Sequence, residues 1–202
     1  MEECNLLNIP ELTFEDATHT YRLNGAEIPS VSRIMEPLSS FEYQGVDDKT
    51  LERAANRGTS VHNSIKDWLL FGIDTTNPEY RGYMDGFLDW WEFVKPVLIA
   101  SEMRVYHKLF RYGGTVDLLA NIDGDITLID YKTTSRLIDK NCRVQTEGYS
   151  QALGSHGIVV KSKHILHLQS NGKWKFPEFP AKDAEAWRVF SGLKTVYDYI
   201  RS

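Results

Sequence analysis

Two aspartates and a lysine, Asp117, Asp130 and Lys132, are spaced so that one tight turn can bring them together. They lie in GGTVDLLANIDGDITLIDYK, Gly113 to Lys132, where two segments rich in Val, Ile, Leu and Thr (Thr115 to Ile122 and Asp125 to Lys132) flank Asp123-Gly124. An Asp-Gly pair between two such segments is the strongest short-range hairpin signal. With Asp123 and Gly124 as the loop of a type I′ turn, Asp117 falls opposite Asp130 and Thr115 opposite Lys132. The two carboxylates then come within about 5 Å at Cβ, and Asp130 and Lys132, two apart on a strand, share a face.

Facing carboxylates repel, and most other residues of both strands are apolar on both faces, which marks covered strands. A hard divalent cation such as Mg²⁺ between the two acids resolves the conflict and keeps waters for chemistry, with Lys132 placed to touch whatever the metal holds. The bland reading of a lone D-x-K tripeptide is a salt-bridged pair at a strand end. The opposed Asp117 favours the metal.

The elements around this hairpin follow from periodicity. Thr20 to Leu23, Asn24-Gly25 and Ala26 to Ile28 form a second hairpin signal, and Ser30 is an N-cap for a short helix ending before Pro37. Residues 39–48 read as loop. A helix from Lys49 to about Asn56 is expected to break at Gly58-Thr59, with a new helix to about Phe71 carrying Val61, Ile65, Trp68 and Leu69 on its buried stripe and His62 pointing inwards. Without further context His62 reads as a hydrogen-bonded core histidine.

Asn77-Pro78-Glu79 starts a core helix ended by Pro96. Val97 to Tyr106 alternates, with Val97, Ile99, Met103 and Val105 on one face and Glu102 and Arg104 on the other; Glu102 is a metal-site neighbour or an outward polar residue, and alone reads as outward. Beyond the hairpin, Thr133 to Lys140 is a polar linker, Cys142 to about His156 a helix, and Ile158 to Gln169 a strand. Asn171-Gly172 is a turn, Trp174 to Phe176 a return strand, and Asp183 to Arg201 an amphipathic helix with Trp187, Phe190, Leu193, Val196, Tyr197 and Ile200 inwards.

Composition bounds the answer. The 202 residues, 42% hydrophobic and 25% charged, suit one soluble domain: residues 1–57 as hairpin and helices, 58–176 as core, 177–202 as a closing helix. The acidic N-terminus lacks a signal-peptide core and no apolar run spans a bilayer, so the expected location is cytoplasmic, in the host cytoplasm if the source is viral. Cys4 and Cys142 lack CxxC spacing and read as reduced thiols. The net charge of -5 hides an asymmetry: residues 1–50 carry ten acids against three bases, whereas residues 131–175 carry eight bases against two acids. A basic stretch directly after the carboxylate hairpin is a phosphate-binding patch or simply solvated surface.

In chain order these features are His62 on a helix, Glu102 on a strand, Gly-Thr-Val-Asp117, Asp130-Tyr-Lys132-Thr, and Gln145-x-x-x-Tyr149 on the following helix. From about Gly58 to Leu168 that order resembles the RecB-type branch of the PD-(D/E)XK nucleases, which includes phage-type recombination exonucleases. The resemblance implies an α/β, restriction-endonuclease-like core with a central mixed β-sheet flanked by helices. It implies that Asp117, Asp130, the backbone carbonyl of Tyr131 and His62 hold one or two Mg²⁺ or Mn²⁺ ions, and that Lys132 orients or helps deprotonate the attacking water. Glu102, Gln145 and Tyr149 would join the catalytic constellation. The implied activity is metal-assisted phosphodiester hydrolysis on DNA, by an exonuclease in recombination, repair or phage replication with a recombination or replication protein as a further partner. An endonuclease on the same scaffold, or a non-catalytic nucleic-acid-binding module, are the alternatives. Two departures stand out: the carboxylate before Lys132 is Asp rather than the commoner Glu, which shortens its reach, and the four cysteines of an iron-sulfur cluster are missing, so no cluster is expected.

Overall fold

The computed structural model describes residues 9–201; Cys4 and the two acids Glu2 and Glu3 lie outside them. The chain opens with a three-stranded antiparallel sheet, β1 (Leu12–Glu15), β2 (Thr20–Leu23) and β3 (Ala26–Ile28). Asn24 and Gly25 take left-handed φ of 52° and 80°, the conformation a two-residue hairpin loop demands. The sheet buries Leu12, Tyr21, Leu23 and Ile28 around Tyr106.

Ser30 caps α1 (Val31–Ile34) by accepting the Arg33 N–H at 3.1 Å, as its sequence position predicts. Pro37 does not end helical structure there. It sits in the first turn of α2 (Glu36–Glu42), where a missing N–H costs no hydrogen bond, so part of the segment expected as loop is helical. The expected break at Gly58-Thr59 is absent too, because α3 (Asp48–Phe71) runs unbroken for 24 residues. Asp47 caps it through the Thr50 N–H at 3.0 Å. A mid-helix glycine costs only about 1 kcal/mol relative to alanine, and burial of Val61 and Ile65 outweighs that. Asn77 accepts the Glu79 N–H to start a short 3₁₀ turn that leads into α4 (Arg81–Val94), which stops at Lys95 in the left-handed region.

The second sheet comprises β4 (Val97–Tyr106), β5 (Gly113–Ile122), β6 (Asp125–Lys132), β7 (Ser162–Leu168), β8 (Trp174–Lys175) and β9 (Glu178–Phe179). Strands β4, β5 and β6 are antiparallel neighbours, and β7 lies parallel to β6. The parallel step needs a crossover, which α5 (Asp139–Ser155) supplies; it begins three residues earlier than its sequence pattern predicts. One face of the sheet packs Leu118, Ile129, Tyr131 and Leu166 against α3 and α4. The other packs Val116, Leu119 and Leu128 against α1, α5 and α6 (Ala184–Arg201). The result is the α/β, mixed-sheet, helix-flanked architecture expected for a restriction-endonuclease-like core. The predicted inward stripe of α6 holds only in part. Phe190 is buried, but Val196 and Ile200 are 53% and 69% exposed, because the last turns run past the core.

The register of the central hairpin matches the expected one over five pairs, from Ile122↔Asp125 to Leu118↔Ile129, with Asp123 and Gly124 both at positive φ. It ends there. One residue before Asp117 and Asp130 would pair, the ladder stops, and the Asp117 carboxylate itself accepts the Tyr131 N–H at 2.8 Å. In β4 the simple alternation also fails. The register against β5 shifts between Leu98 and Ala100, and Glu102 has φ of 51°. Val97 is therefore exposed, while Ala100 and Met103, three apart, enter the same core cluster.

Candidate active site

The irregularities in β4 and β5 fall at the same level of the sheet. Glu102 lies between Ser101, paired with Leu118, and Met103, paired with Val116, which sets it opposite Asp117. A non-glycine residue in the left-handed region costs about 1–3 kcal/mol and persists only where its surroundings enforce it. Here it turns Glu102 inwards rather than outwards, contrary to the isolated reading of the strand. Along α3, His62 follows buried Val61 and reaches the same point, with Nδ1 3.5 Å from Asp117 Oδ1. One ligand atom each from His62, Glu102 and Asp117 lies within 4.8 Å of the others.

Asp117 uses both oxygens, Oδ2 on the Tyr131 N–H and Oδ1 towards His62. Burial alone would raise its pKa, but the facing imidazolium and Lys132 bring it below the ordinary carboxylate value. Burial would likewise lower His62, and the Asp117, Glu102 and Asp130 carboxylates more than offset that, holding it up at about 9. Glu102 moves the other way from most acids. Burial and the Asp117 charge push it up to about 7, and its Oε1 is buried without a hydrogen-bond partner. An orphaned carboxylate oxygen beside a second carboxylate and an imidazole is what a divalent cation would satisfy.

Asp130 and Lys132 line the same cleft, a hollow of about 730 Å³ that also includes Thr115, Gln145 and Tyr149. Lys132 Nζ sits 2.7 Å from Asp130 Oδ2 as an ion pair and donates a hydrogen bond to Gln145 Oε1 at 2.8 Å. Burial works against the ammonium, but the Asp130 charge overrides it and raises Lys132 above its ordinary value. Burial and the Asp117 charge together outweigh Lys132 at Asp130, which is raised. Tyr149 packs its ring on the backbone of Gly114, where a Cβ would come 2.6 Å from the ring. Burial holds its phenol well above the usual range.

The structure thus gathers His62, Glu102, Asp117, Asp130, Lys132, Gln145 and Tyr149 into one cleft. The grouping differs from the sequence reading in one respect. The triad of side chains with ligand atoms in mutual reach contains Glu102 and not Asp130, the third side chain the resemblance implied. The Tyr131 side chain faces the opposite side of the sheet, buried edge-on to Phe87 and His62. Sequence reasoning missed Tyr21, whose hydroxyl lies 2.7 Å from Thr115 Oγ1 and ties the N-terminal sheet to the strand bearing Asp117. No local pattern signals that contact, which spans 94 residues.

What fold and site define is an α/β protein with a buried carboxylate–imidazole cluster beside an ion-paired lysine. No family model matches the chain, and neither does any curated protein. Among solved structures it is similar to an alkaline exonuclease from Laribacter hongkongensis, at 10% identity and a TM-score of 0.44, over 86% of this chain and 91% of that one. The same enzyme in complex with dAMP gives 10% identity and a TM-score of 0.42 over the same shares. A chain described as SSO0001 gives 11% and 0.33, over 82% and 84%. Among the described residues no helix is long and apolar enough to cross a membrane.

Proposed function

We propose that this protein is a metal-dependent nuclease of the PD-(D/E)XK type, RecB-like branch, hydrolysing phosphodiester bonds of DNA as an exonuclease. The observation that carries the reading is the pairing, in one cleft, of the His62–Glu102–Asp117 cluster with the Asp130–Lys132 ion pair. His62, Glu102 and Asp117 would hold Mg²⁺ or Mn²⁺, with Asp130 at the edge of the same cluster. When bound, such an ion supplies Lewis-acid polarisation of the phosphate and lowers the pKa of water.

The chain's own groups do the rest. Lys132 presents an ammonium whose charge is secured by Asp130 and whose direction is fixed by Gln145. It would orient the attacking water and offset charge developing on the phosphate oxygens. Asp130 holds the Lys132 ammonium in place through their ion pair and would keep a second carboxylate next to the metal ligands. Tyr149 lines the same cleft, and its neutral phenol, held far from ionisation by burial, would offer a hydrogen bond to substrate.

A recombination, repair or phage-replication role, with a protein of that machinery as partner, belongs to the same reading. Purified protein incubated with Mg²⁺ or Mn²⁺ and 5′- or 3′-labelled single- and double-stranded DNA tests it. Stepwise loss of nucleotides from ends, with closed circular DNA left intact, is expected. Cleavage of closed circles would make the enzyme an endonuclease, and full cleavage by Asp117→Ala would refute the site.

A further inference from the structure

Three of the eight basic residues of 131–175 are paired within the fold: Lys132 with Asp130, Arg143 with Asp183, and buried Lys163 with Glu147. Arg136 and Lys175 are different. Both are exposed, neither forms an ion pair among the described residues, and both line a second hollow of about 590 Å³ with Ser135, Asp139 and His167. His167 is only 4% exposed. Its Nε2 lies 2.6 Å from the Thr134 carbonyl oxygen, and since a carbonyl only accepts, Nε2 carries the proton. That leaves Nδ1 buried with no hydrogen-bond partner. The first turn of the 17-residue helix α5 begins at Asp139 with no side-chain cap, so its free N–H groups add positive potential on the same side.

We propose that this hollow is a phosphodiester subsite, holding a backbone phosphate of the strand whose scissile phosphate lies at Lys132, an inference that rests on the nuclease reading. Lys132 pairs with His167 across the parallel β6–β7 ladder, and Arg136 follows Lys132 by four residues. Neighbouring strands lie about 4.8 Å apart, and phosphates of one strand recur every ~3.4 Å of duplex rise, so the two positions suit phosphates a nucleotide or a few apart. Arg136 and Lys175 against Asp139 leave one positive charge, which matches the single negative charge of a diester better than the near-double charge of a terminal phosphate. Arg136 supplies a planar fork for two phosphate oxygens and Lys175 a point charge. His167 Nδ1, an acceptor in this tautomer, would meet the bound group only through a water that donates to both.

The test reads binding rather than cleavage. Anisotropy of a labelled single-stranded oligonucleotide is measured against the wild-type chain and the double variant Arg136→Ala/Lys175→Ala. The control is Lys161→Ala/Lys173→Ala, which removes the same charge outside the hollow. The pocket variant should bind about tenfold more weakly, and its log–log salt slope should be shallower by about 0.7, the share of one neutralised phosphate on a single strand. The control should shift little. Adding a 5′-phosphate to the oligonucleotide should not tighten binding. Equal losses in the two double variants, no loss in either, or no binding by wild type would each overturn the subsite. Failure of the nuclease reading shows separately, as absence of metal-dependent cleavage by the wild-type chain, and the binding comparison still decides the subsite.

Discussion

Asp117 Oδ2 accepts the backbone N–H of Tyr131 at 2.8 Å, taking over from a strand ladder whose last pair is Leu118↔Ile129. One carboxylate therefore finishes the sheet's hydrogen bonding with one oxygen and serves the cleft with the other. Asp117→Asn keeps an acceptor for that N–H while removing the charge. It should retain the melting temperature within a few degrees and abolish Mn²⁺ binding. Asp117→Ala strands a buried N–H as well, at a further cost of about 1–3 kcal/mol. Thermal melts of the two variants separate the roles; equal stability would mean the Tyr131 contact contributes nothing.

Protons and cations compete for the same ligands. In the metal-free protein Glu102 is raised to about 7 and His62 to about 9, so the folded state binds both protons more tightly than the unfolded chain does. For groups raised in this way the favourable contribution is complete below the unfolded pKa and is lost as pH climbs through the folded one. Metal-free stability should accordingly fall between about pH 5 and 9. Mn²⁺ affinity should rise over pH 6 to 9 with release of up to two protons. Calorimetric titrations in buffers of different ionisation enthalpy check this; a pH-independent affinity would contradict the ligand set.

Lys132 and Gln145 should behave as one unit. Lys132→Met is expected to lower cleavage by about 10²–10⁴-fold, the scale of a positioned proton-transfer group, while leaving Mn²⁺ binding in place. Gln145→Ala removes the acceptor that aims the ammonium and should cost about tenfold, with no further loss when added to Lys132→Met. Additive losses in single-turnover assays would give Gln145 a contact of its own with substrate.

Gly114 leaves no room for a side chain, since its Cβ would lie 2.6 Å from the Tyr149 ring. Gly114→Ala should destabilise by about 1–3 kcal/mol, as overpacking does, and impair cleavage by displacing Tyr149. Tyr149→Ala in the same chain should restore much of the stability but not the activity. A double-mutant cycle with no coupling would show that the backbone, not the ring, absorbs the change.

The sequence by itself determined the parts of this protein set by local chemistry. Asp123-Gly124 fixed the hairpin because few other dipeptides accept two left-handed residues, and period-two and period-3.6 patterns located the strands and most helices. The same turn put Asp117, Asp130 and Lys132 at one end of two adjacent strands. The breaks were legible only where a strong local signal went unopposed. Gly58 and Pro37 look like helix stops, yet burial of Val61 and Ile65 carries α3 through the first, and the second starts a helix instead of ending one. Tertiary structure alone decided Glu102. Alternation points it to solvent, and only the left-handed kink in β4, held in place by the pairing with β5, swings it beside His62 and Asp117. The reach of His62 to β5 and of Tyr21 to Thr115 is likewise set by how α3 and the N-terminal sheet dock, over separations that no sequence period spans.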